Sequence, residues 1–376
     1  MFGRRITLFR LFGFAVRADA SWLIVVALVT WSLATGVFPR LHPGLTPRTY
    51  WLMGGIGALI FFLSIVLHEM SHALVARRFG IPMRGITLFV FGGVAEMDDE
   101  PPSPKAELLM ALAGPAMSVV IGVVCLGGAA LGAMQNLRGE AVAILQYLGF
   151  TNLILAVFNM LPAFPLDGGR VLRALIWWRT QNIRKATRVS SQVGSGFGIL
   201  LILLGLFSLF TGSLVQGLWW FLIGMFVRGA AANSYQQIVV RETLAGMPVS
   251  RFMTATPVTV SRSLSVRELI EDYIYRYHFR MYPVVDDGRL VGCVSTREVH
   301  ALPREEWDRQ TVGAIAQQCQ TDNSIAPHAD ALQALTRMSR SKVSRLMVVE
   351  GDRLLGIITI KDLVRFLSLK MELEEG

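Results

Sequence analysis

Long runs of apolar residues fill the first part of the chain, up to about Ala232, and polar residues become frequent only after it. A helix that crosses a bilayer needs about 20 mainly apolar residues. Three runs meet this requirement comfortably and three more meet it narrowly, which predicts a multi-pass α-helical membrane protein with about six transmembrane helices. The predicted spans are residues 20–37, 51–76, 106–132, 142–161, 194–210 and 214–227.

Composition supports a membrane protein. Of the 376 residues, 53% are hydrophobic and 17% are charged, whereas soluble domains carry about 25% charged residues. This apolar content excludes intrinsic disorder. The three cysteines (Cys125, Cys293 and Cys319) have no paired spacing, which argues against a disulfide scaffold or a cysteine zinc site.

The net charge is +9, and the basic residues are concentrated in particular loops. Arginine and lysine cluster before the first predicted span, between the second and third, and after the fourth, and Arg228 follows the sixth. Because cytoplasmic loops are enriched in these residues, we predict a cell-membrane protein with both termini in the cytosol. Basic patches interleaved with aromatic residues are missing from the sequence, so no nucleic-acid partner is expected. Residues 1–17 form a basic amphipathic stretch, which predicts either a segment on the membrane surface or a frayed tail.

The C-terminal part contains an internal repeat. Residues 282–286 and 292–298 recur as residues 346–350 and 356–362, with a constant offset of 64 positions. Each copy has the pattern of a buried strand, a turn, a second strand and a helix, and a further helix precedes it. The repeat therefore predicts a soluble pair of α/β modules that share a core.

The strongest chemical motif is His68-Glu69-Met70-Ser71-His72, within the second predicted span. Residues four positions apart share a helix face, so both imidazoles can bind one metal ion while Glu69 reaches its bound water. Ionisable side chains inside a membrane span are costly and usually functional. The alternative is a structural cluster of hydrogen-bonded side chains between helices.

A third metal ligand is expected because catalytic zinc sites use three protein ligands and a water. The candidate is Asp167, which follows Asn159, Pro162 and Pro165 at the end of the fourth predicted span. The predicted topology places Asp167 and both histidines on the same side of the bilayer. The alternative for Asp167 is a helix-end turn residue.

These two motifs and the predicted cytosolic tail resemble the site-2 protease family of intramembrane zinc metalloproteases, over about residues 1–232. The resemblance implies a three-helix catalytic core, one zinc ion held by His68, His72 and Asp167, and Glu69 as the catalytic base. It implies endoproteolysis of a membrane-anchored protein in or near its transmembrane segment, as in regulated intramembrane proteolysis.

Two features bear on how substrate is held. Residues 83–97, around Phe91, are too short to span as a helix and predict a membrane-dipping β-hairpin, whose edge strand is suited to pairing with an extended substrate. A cytosolic hairpin without substrate contact is the alternative. Asn159 matches the asparagine of the family motif, which implies a hydrogen bond to substrate backbone; otherwise it satisfies carbonyls that Pro162 frees.

The C-terminal repeat resembles a tandem of cystathionine-β-synthase-type (CBS) domains. In that family a hydroxyl and a carboxylate contact an adenine nucleotide, and Thr359 and Asp362 match this motif, which implies AMP or ATP as a ligand. The first copy has Ser295 but Glu298 where the family has aspartate. A pair without ligand is the alternative. A homodimer through these domains is a further expectation.

The predicted division is an intramembrane metalloprotease domain (1–232), a linker (233–250) and two CBS domains (251–310 and 311–370). The competing function is a CBS-regulated membrane transporter or channel without hydrolytic activity. It would spread polar positions over several spans, whereas this chain gathers its intramembrane ionisable groups into one set. A catalytically inactive membrane scaffold is a third possibility.

Overall fold

The structure is a computed structural model that describes residues 6–89, 92–97, 100–318, 323–341 and 343–374. The chain divides into two compact units, Met1–Ile238 and Val239–Gly376. Cys319 lies outside the described residues, as does Phe91 of the predicted hairpin.

The first unit combines long helices with a small sheet. Three of its long helices begin at polar caps: Thr46 caps α3, Ser103 caps α4 and Asn182 caps α7, and proline is the first residue of α3 and α4. The elements in chain order are β1 (Ile6–Leu11), β2 (Phe14–Ala18), α1 (Ala20–Ser32), a π-helical turn (Leu33–Val37), α2 (Phe38–Leu41), α3 (Pro47–Arg78), β3 (Met83–Phe89), β4 (Gly92–Met97), α4 (Pro104–Met134), α5 (Gly139–Asn159), α6 (Asp167–Thr180), α7 (Ile183–Phe210) and α8 (Leu214–Leu244).

Five described stretches are helical, long and apolar enough to cross a membrane: Ala20–Leu41, Pro47–Arg78, Pro104–Met134, Gly139–Asn159 and Ile183–Phe210. Many of their large apolar side chains are exposed on the outside of the helices, among them Leu59, Val124 and Phe150. Lipid is the solvent in which such a surface is stable. The sixth predicted span is also helical and lies within α8.

The four strands form one sheet in the order β1-β2-β3-β4. β1 and β2 are antiparallel, β2 pairs with β3 in parallel, and β3 and β4 form an antiparallel hairpin. The hairpin prediction for residues 83–97 is thus confirmed as a β-hairpin. Within residues 1–17, which were expected to lie on the membrane surface or to form a frayed tail, the described part is not frayed: it forms β1 and most of β2, because β2 pairs with the distant β3.

Helix packing in this unit relies on close backbone contact. A Cβ atom added to Gly122 would lie 2.8 Å from Leu153 Cδ2, and one added to Gly149 would lie 2.6 Å from Leu126 Cγ. Since neither position has room for a side chain, α4 and α5 approach closely. Both helices also adjoin α3, so α3, α4 and α5 form a packed group.

The second unit contains a six-stranded sheet in the order β5-β6-β7-β10-β9-β8. Its elements are a 3₁₀ turn (Val249–Arg251), β5 (Val260–Ser261), α9 (Val266–Glu268), a π-helical turn (Leu269–Ile274), α10 (Tyr275–Tyr277), β6 (Met281–Asp286), β7 (Arg289–Ser295), α11 (Thr296–Ala301), a 3₁₀ turn (Arg304–Glu306), α12 (Val312–Ile315), β8 (Ser324–Ile325), α13 (Ala331–Arg340), β9 (Arg345–Glu350), β10 (Arg353–Thr359) and α14 (Ile360–Glu374).

The 64-residue repeat has a structural counterpart in this sheet. The segment before each repeat pairs with a central strand of the other copy: Thr254 bridges to Ile357, and Gln317 bridges to Cys293. A Cβ atom on Gly292 would lie 2.5 Å from the Gln317 carbonyl oxygen, and one on Gly356 would lie 2.6 Å from that of Thr254. The repeated glycines therefore admit these crossing segments.

Candidate metal centre

The two histidines of the motif lie on one face of α3, inside the first unit. His68 is 4% exposed and His72 is 5% exposed, and their ring centroids are 4.9 Å apart. One helical turn separates them, so both Nε2 atoms point to the same place. Their Nε2 atoms are 3.2 Å apart.

The third residue reaches this place through a tight loop. α5 ends at Asn159, and Asp167 is the first residue of α6 after the cap Leu166. A Cβ atom on Gly168 would lie 2.2 Å from the Met160 carbonyl oxygen, so the loop folds back directly onto the start of α6. This close return fixes the buried Asp167, which is 9% exposed, beside the histidines.

The three ligand atoms form a nearly equilateral triangle. Asp167 Oδ2 lies 3.2 Å from His68 Nε2 and 3.3 Å from His72 Nε2, and the two nitrogens are 3.2 Å apart. Ligand atoms about 2.0–2.1 Å from a tetrahedral zinc ion are about 3.3–3.4 Å from one another. The triangle thus has the size of one face of a zinc tetrahedron, and the three residues are recognisable as a group able to hold a metal ion.

Gly114 of α4 keeps the space next to this triangle open. A Cβ atom there would lie 2.2 Å from His72 Nε2 and 2.5 Å from His68 Nε2. Even alanine would fill the volume against which both ligand nitrogens point. The sequence Ala113-Gly114-Pro115 suggests only helix packing, and the tertiary structure gives Gly114 this additional role.

α4 also orients both imidazole rings. His72 Nδ1 lies 2.6 Å from the Met110 carbonyl oxygen, and because a carbonyl only accepts, Nδ1 carries the proton and Nε2 offers its lone pair. His68 Nδ1 lies 2.9 Å from Ser118 Oγ. Partners of this kind fix the ring orientation and the tautomer of histidine ligands. Sequence reasoning missed both, since Met110 contributes only backbone and Ser118 lies in an apolar helix.

Glu69 follows His68 on α3 and contacts the hairpin. A Cβ atom on Gly93 of β4 would lie 2.7 Å from Glu69 Cγ and 3.4 Å from Oε1. β4 is the last strand of the described sheet. An edge strand therefore runs beside the carboxylate that the motif assigns as the base. Asn159 is half-buried at the end of α5 and is not one of the three clustered residues.

The predicted nucleotide residues lie in the second unit, at the start of α14. Thr359 Oγ1 donates to Asp362 Oδ2 at 2.7 Å, and the Asp362 backbone N–H donates to Thr359 Oγ1. In the first copy Glu298 accepts from Ser295 and also from Gln317 Nε2, at 3.0 Å. Both pairs cap a helix in the structure, and Gln317, from the segment that precedes the second copy, also donates to the Glu298 carboxylate.

A chain with several helices of membrane-spanning type and a buried His, His, carboxylate set is a membrane protein with the ligands of a hydrolytic zinc enzyme. The family model "Peptidase family M50" matches residues 56–136 and 133–203, and the CBS domain model matches residues 249–302 and 316–369. The chain belongs to peptidase family M50, the site-2 proteases, and carries tandem CBS domains.

Individual relatives agree over nearly the whole length. The Mycobacterium tuberculosis protein named zinc metalloprotease Rip3 is 35% identical over 368 residues, covering 97% of this chain and 93% of that protein. Zinc metalloprotease MJ0392 of Methanocaldococcus jannaschii is 28% identical over 370 residues, covering 98% of both. The structure of a site-2 protease from the same archaeon has a TM-score of 0.42 and 28% identity, covering 62% of this chain and 95% of that one.

Membership in this family identifies the chain as an enzyme. The chain is a multi-pass intramembrane metalloprotease, an endopeptidase of the site-2 type, and zinc is the metal its family implies. The expectation of a site-2 type metalloendopeptidase is confirmed.

Proposed function

We propose that this protein hydrolyses a peptide bond in or near the transmembrane segment of a membrane-anchored protein, with one zinc ion held by His68, His72 and Asp167. The observation that carries the proposal is the triangle of ligand atoms, with sides of 3.2, 3.2 and 3.3 Å. Zinc in such a site acidifies a water molecule and polarises the carbonyl to be cleaved.

Glu69 acts as general base and then as general acid in this proposal. Its carboxylate takes a proton from the attacking water and returns it to the leaving amide nitrogen. The backbone at Gly93, against the Glu69 side chain, excludes bulk water from that side. The Met110 carbonyl and Ser118 hold the two imidazoles still while charge develops.

The substrate is proposed to bind as an extended strand along the edge of β4. Proteolysis needs an extended backbone, and an edge strand offers unpaired N–H and C=O groups for one more strand. Since Gly93 of β4 touches Glu69, a strand added to β4 runs past the base. Asn159 is proposed to donate to the substrate backbone from the end of α5.

A cleavage assay on the purified full chain tests this function. Wild type and Glu69→Gln are incubated in detergent with candidate single-span membrane proteins, and zinc content and thermal unfolding are measured in parallel. We expect Glu69→Gln to lose cleavage while it keeps one zinc per chain and its unfolding temperature. Glu140→Gln, the same change at the start of α5, is the matched control and should cleave normally. Cleavage that survives Glu69→Gln rules out the assigned base.

For the second unit we propose adenine nucleotide binding at Thr359 and Asp362, with access to the protease as the regulated quantity. Regulation requires that the nucleotide bind one conformational state more tightly than another. Titration calorimetry with AMP and ATP on wild type and Asp362→Ala tests the site, and sedimentation velocity tests the proposed homodimer. An equal response of both proteins to nucleotide would remove the assignment of Asp362.

The remaining proposals concern topology. We propose that both termini face the cytosol and that the functional divisions fall at residues 1–232, 233–250, 251–310 and 311–370. Labelling of single cysteines at each terminus with a membrane-impermeant reagent checks the orientation. Labelling in intact cells would contradict it, and labelling only after permeabilisation is expected.

A further inference from the structure

A buried ion pair joins α6 to the start of α4 close to the metal centre. Arg173 is 3% exposed and Glu107 is fully buried. Arg173 Nε donates to Glu107 Oε1 at 2.6 Å, and Nη2 contacts the same oxygen. Nη2 also donates to Glu100 Oε2 at 3.2 Å. Buried charges are tolerated only where they are paired, so this guanidinium ties three segments together.

Arg173 also covers the loop that carries Asp167. Its guanidinium carbon lies 5.3 Å from the centre of the Phe164 ring. The Phe164 backbone is enclosed between two helices, since a Cβ atom on Gly169 would lie 2.3 Å from its nitrogen and one on Gly194 would lie 2.1 Å from its oxygen. The loop thus has little freedom as long as Arg173 stays in place.

On the α4 side, the ion pair lies one helical turn from a partner of the metal centre. Glu107 precedes Met110 by three positions, and the Met110 carbonyl fixes His72 Nδ1 at 2.6 Å. On the α6 side, Arg173 follows Asp167 by six positions in the same helix. The ion pair therefore joins α6, which carries Asp167, to α4, whose Met110 carbonyl orients His72 of α3.

The electrostatics favour a permanently charged Arg173. Burial by itself would lower the pKa of Arg173, but the Glu107 and Glu100 carboxylates outweigh it and raise that pKa above its ordinary value. Arg170, one turn earlier in this helix, also reaches α4 but more loosely, because its Nε lies 4.0 Å from Glu107 Oε1 and its Nη2 lies 3.9 Å from Met110 Sδ. The short contacts from this helix to Glu107 are those of Arg173.

We propose that Arg173 is a positioning residue of the metal centre: by holding Glu107 and the Phe164 loop, it sets the spacing between His72 on one side and Asp167 on the other. The proposal rests on the proposed function, in which these residues hold zinc. The ligand spacing has a narrow tolerance, since good metal sites keep their distances within about 0.2 Å. Loss of Arg173 is expected to weaken zinc binding even though Arg173 touches no metal ligand.

The test measures zinc affinity of the purified full chain by competition with a fluorescent chelator, together with the visible absorption of the cobalt-substituted protein. We expect Arg173→Met to bind zinc about 10- to 100-fold more weakly, as losses of outer partners of metal ligands do. Arg173→Lys keeps one charged donor and should lie between this variant and wild type. Arg179→Met removes an exposed charge from the same helix and is the matched control.

A double variant, Glu107→Gln with Arg173→Met, separates positioning from stability. It removes the unpaired buried carboxylate, so its unfolding temperature should recover relative to Arg173→Met, while its zinc affinity should stay low and its cobalt spectrum stay altered. If the folded double variant binds zinc with wild-type affinity and its cobalt form has the wild-type spectrum, the positioning role is wrong. If the double variant does not fold, the same result for Arg173→Lys would show this.

The proposed function fails in a different way. If wild type binds no stoichiometric zinc, or if His68→Ala leaves zinc affinity unchanged, then the assignment of the ligands is wrong. Normal zinc binding by wild type, loss of it in His68→Ala and no change in the Arg173 variants would overturn only the role of Arg173.

Discussion

The space beside the ligand nitrogens leads to the sharpest prediction, for the change Gly114→Ala. The added methyl carbon would lie 2.2 Å from His72 Nε2 and 2.5 Å from His68 Nε2. Carbon atoms in ordinary contact are about 3.5–4.0 Å from their neighbours, so the rings or the helix must move by more than about 1 Å. Neither ring moves freely, since Met110 and Ser118 hold them.

A displacement of this size exceeds the tolerance of a metal site several-fold. We expect Gly114→Ala to weaken zinc binding by at least about 100-fold. This is at or above the largest loss of metal affinity that usually follows removal of a residue hydrogen-bonded to a metal ligand. Overpacking should also lower stability by about 1–3 kcal/mol. Both effects oppose the general preference of helices for alanine over glycine, which is about 1 kcal/mol.

The assay is zinc content per chain by mass spectrometry, zinc affinity by competition titration, and thermal unfolding of the same preparations. Gly127→Ala is the matched control, because it makes the same change in the same helix at a position with no atom within 4 Å. It should keep wild-type zinc binding and gain slightly in stability. If Gly114→Ala binds one zinc with wild-type affinity, the open space beside the triangle is not where the ion binds.

Two further predictions concern single contacts, and a third concerns removal of the metal. Ser118→Ala removes the partner of His68 Nδ1 and should weaken zinc binding about 10-fold in the same titration; unchanged affinity would show that this hydrogen bond does not orient the ring. Gly93→Val places a branched side chain against Glu69 Cγ, where Cβ alone is 2.7 Å away, so cleavage should fall at least about 10-fold while zinc content stays at one per chain. Chelation of the metal should lower the unfolding temperature of wild type by removing a stabilisation of about 2.7 kcal/mol at a metal concentration 100 times the Kd, and calorimetry should show no such change for His72→Ala.

Much of the first unit was predictable because it depends on local composition. A span is a property of about 20 consecutive residues, and the five helices of spanning type coincide with predicted ones. The common face of His68 and His72 follows from helical geometry alone. Asp167 could be predicted as the third ligand because the basic residues in the loops assign each motif to a side of the membrane. The structure places Asp167 within hydrogen-bond distance of both histidines.

Other features could not be predicted from the sequence because they arise from contacts between distant segments. Residues 6–18 carry an amphipathic pattern, yet they are strands because β2 pairs with β3 about 70 positions later. Nothing in the pattern of the C-terminal repeat indicates that Gln317 bonds to Glu298. Pairing across such separations depends on the packing of whole elements and leaves no periodic signal in either segment.

The order and spacing of residues along the chain are enough to identify the groups that carry the chemistry: two imidazoles one helical turn apart, a glutamate between them, and an aspartate after a broken helix. How these groups are held depends on contacts between distant segments, which form only in the folded chain. Three contacts around the metal centre depend on how α4 is aligned with its neighbouring helices. They are the open space at Gly114, the hydrogen bond from His72 to the Met110 carbonyl, and the ion pair of Arg173 with Glu107. That register is a sum of many weak packing contacts over whole helices, and no short stretch of residues encodes it.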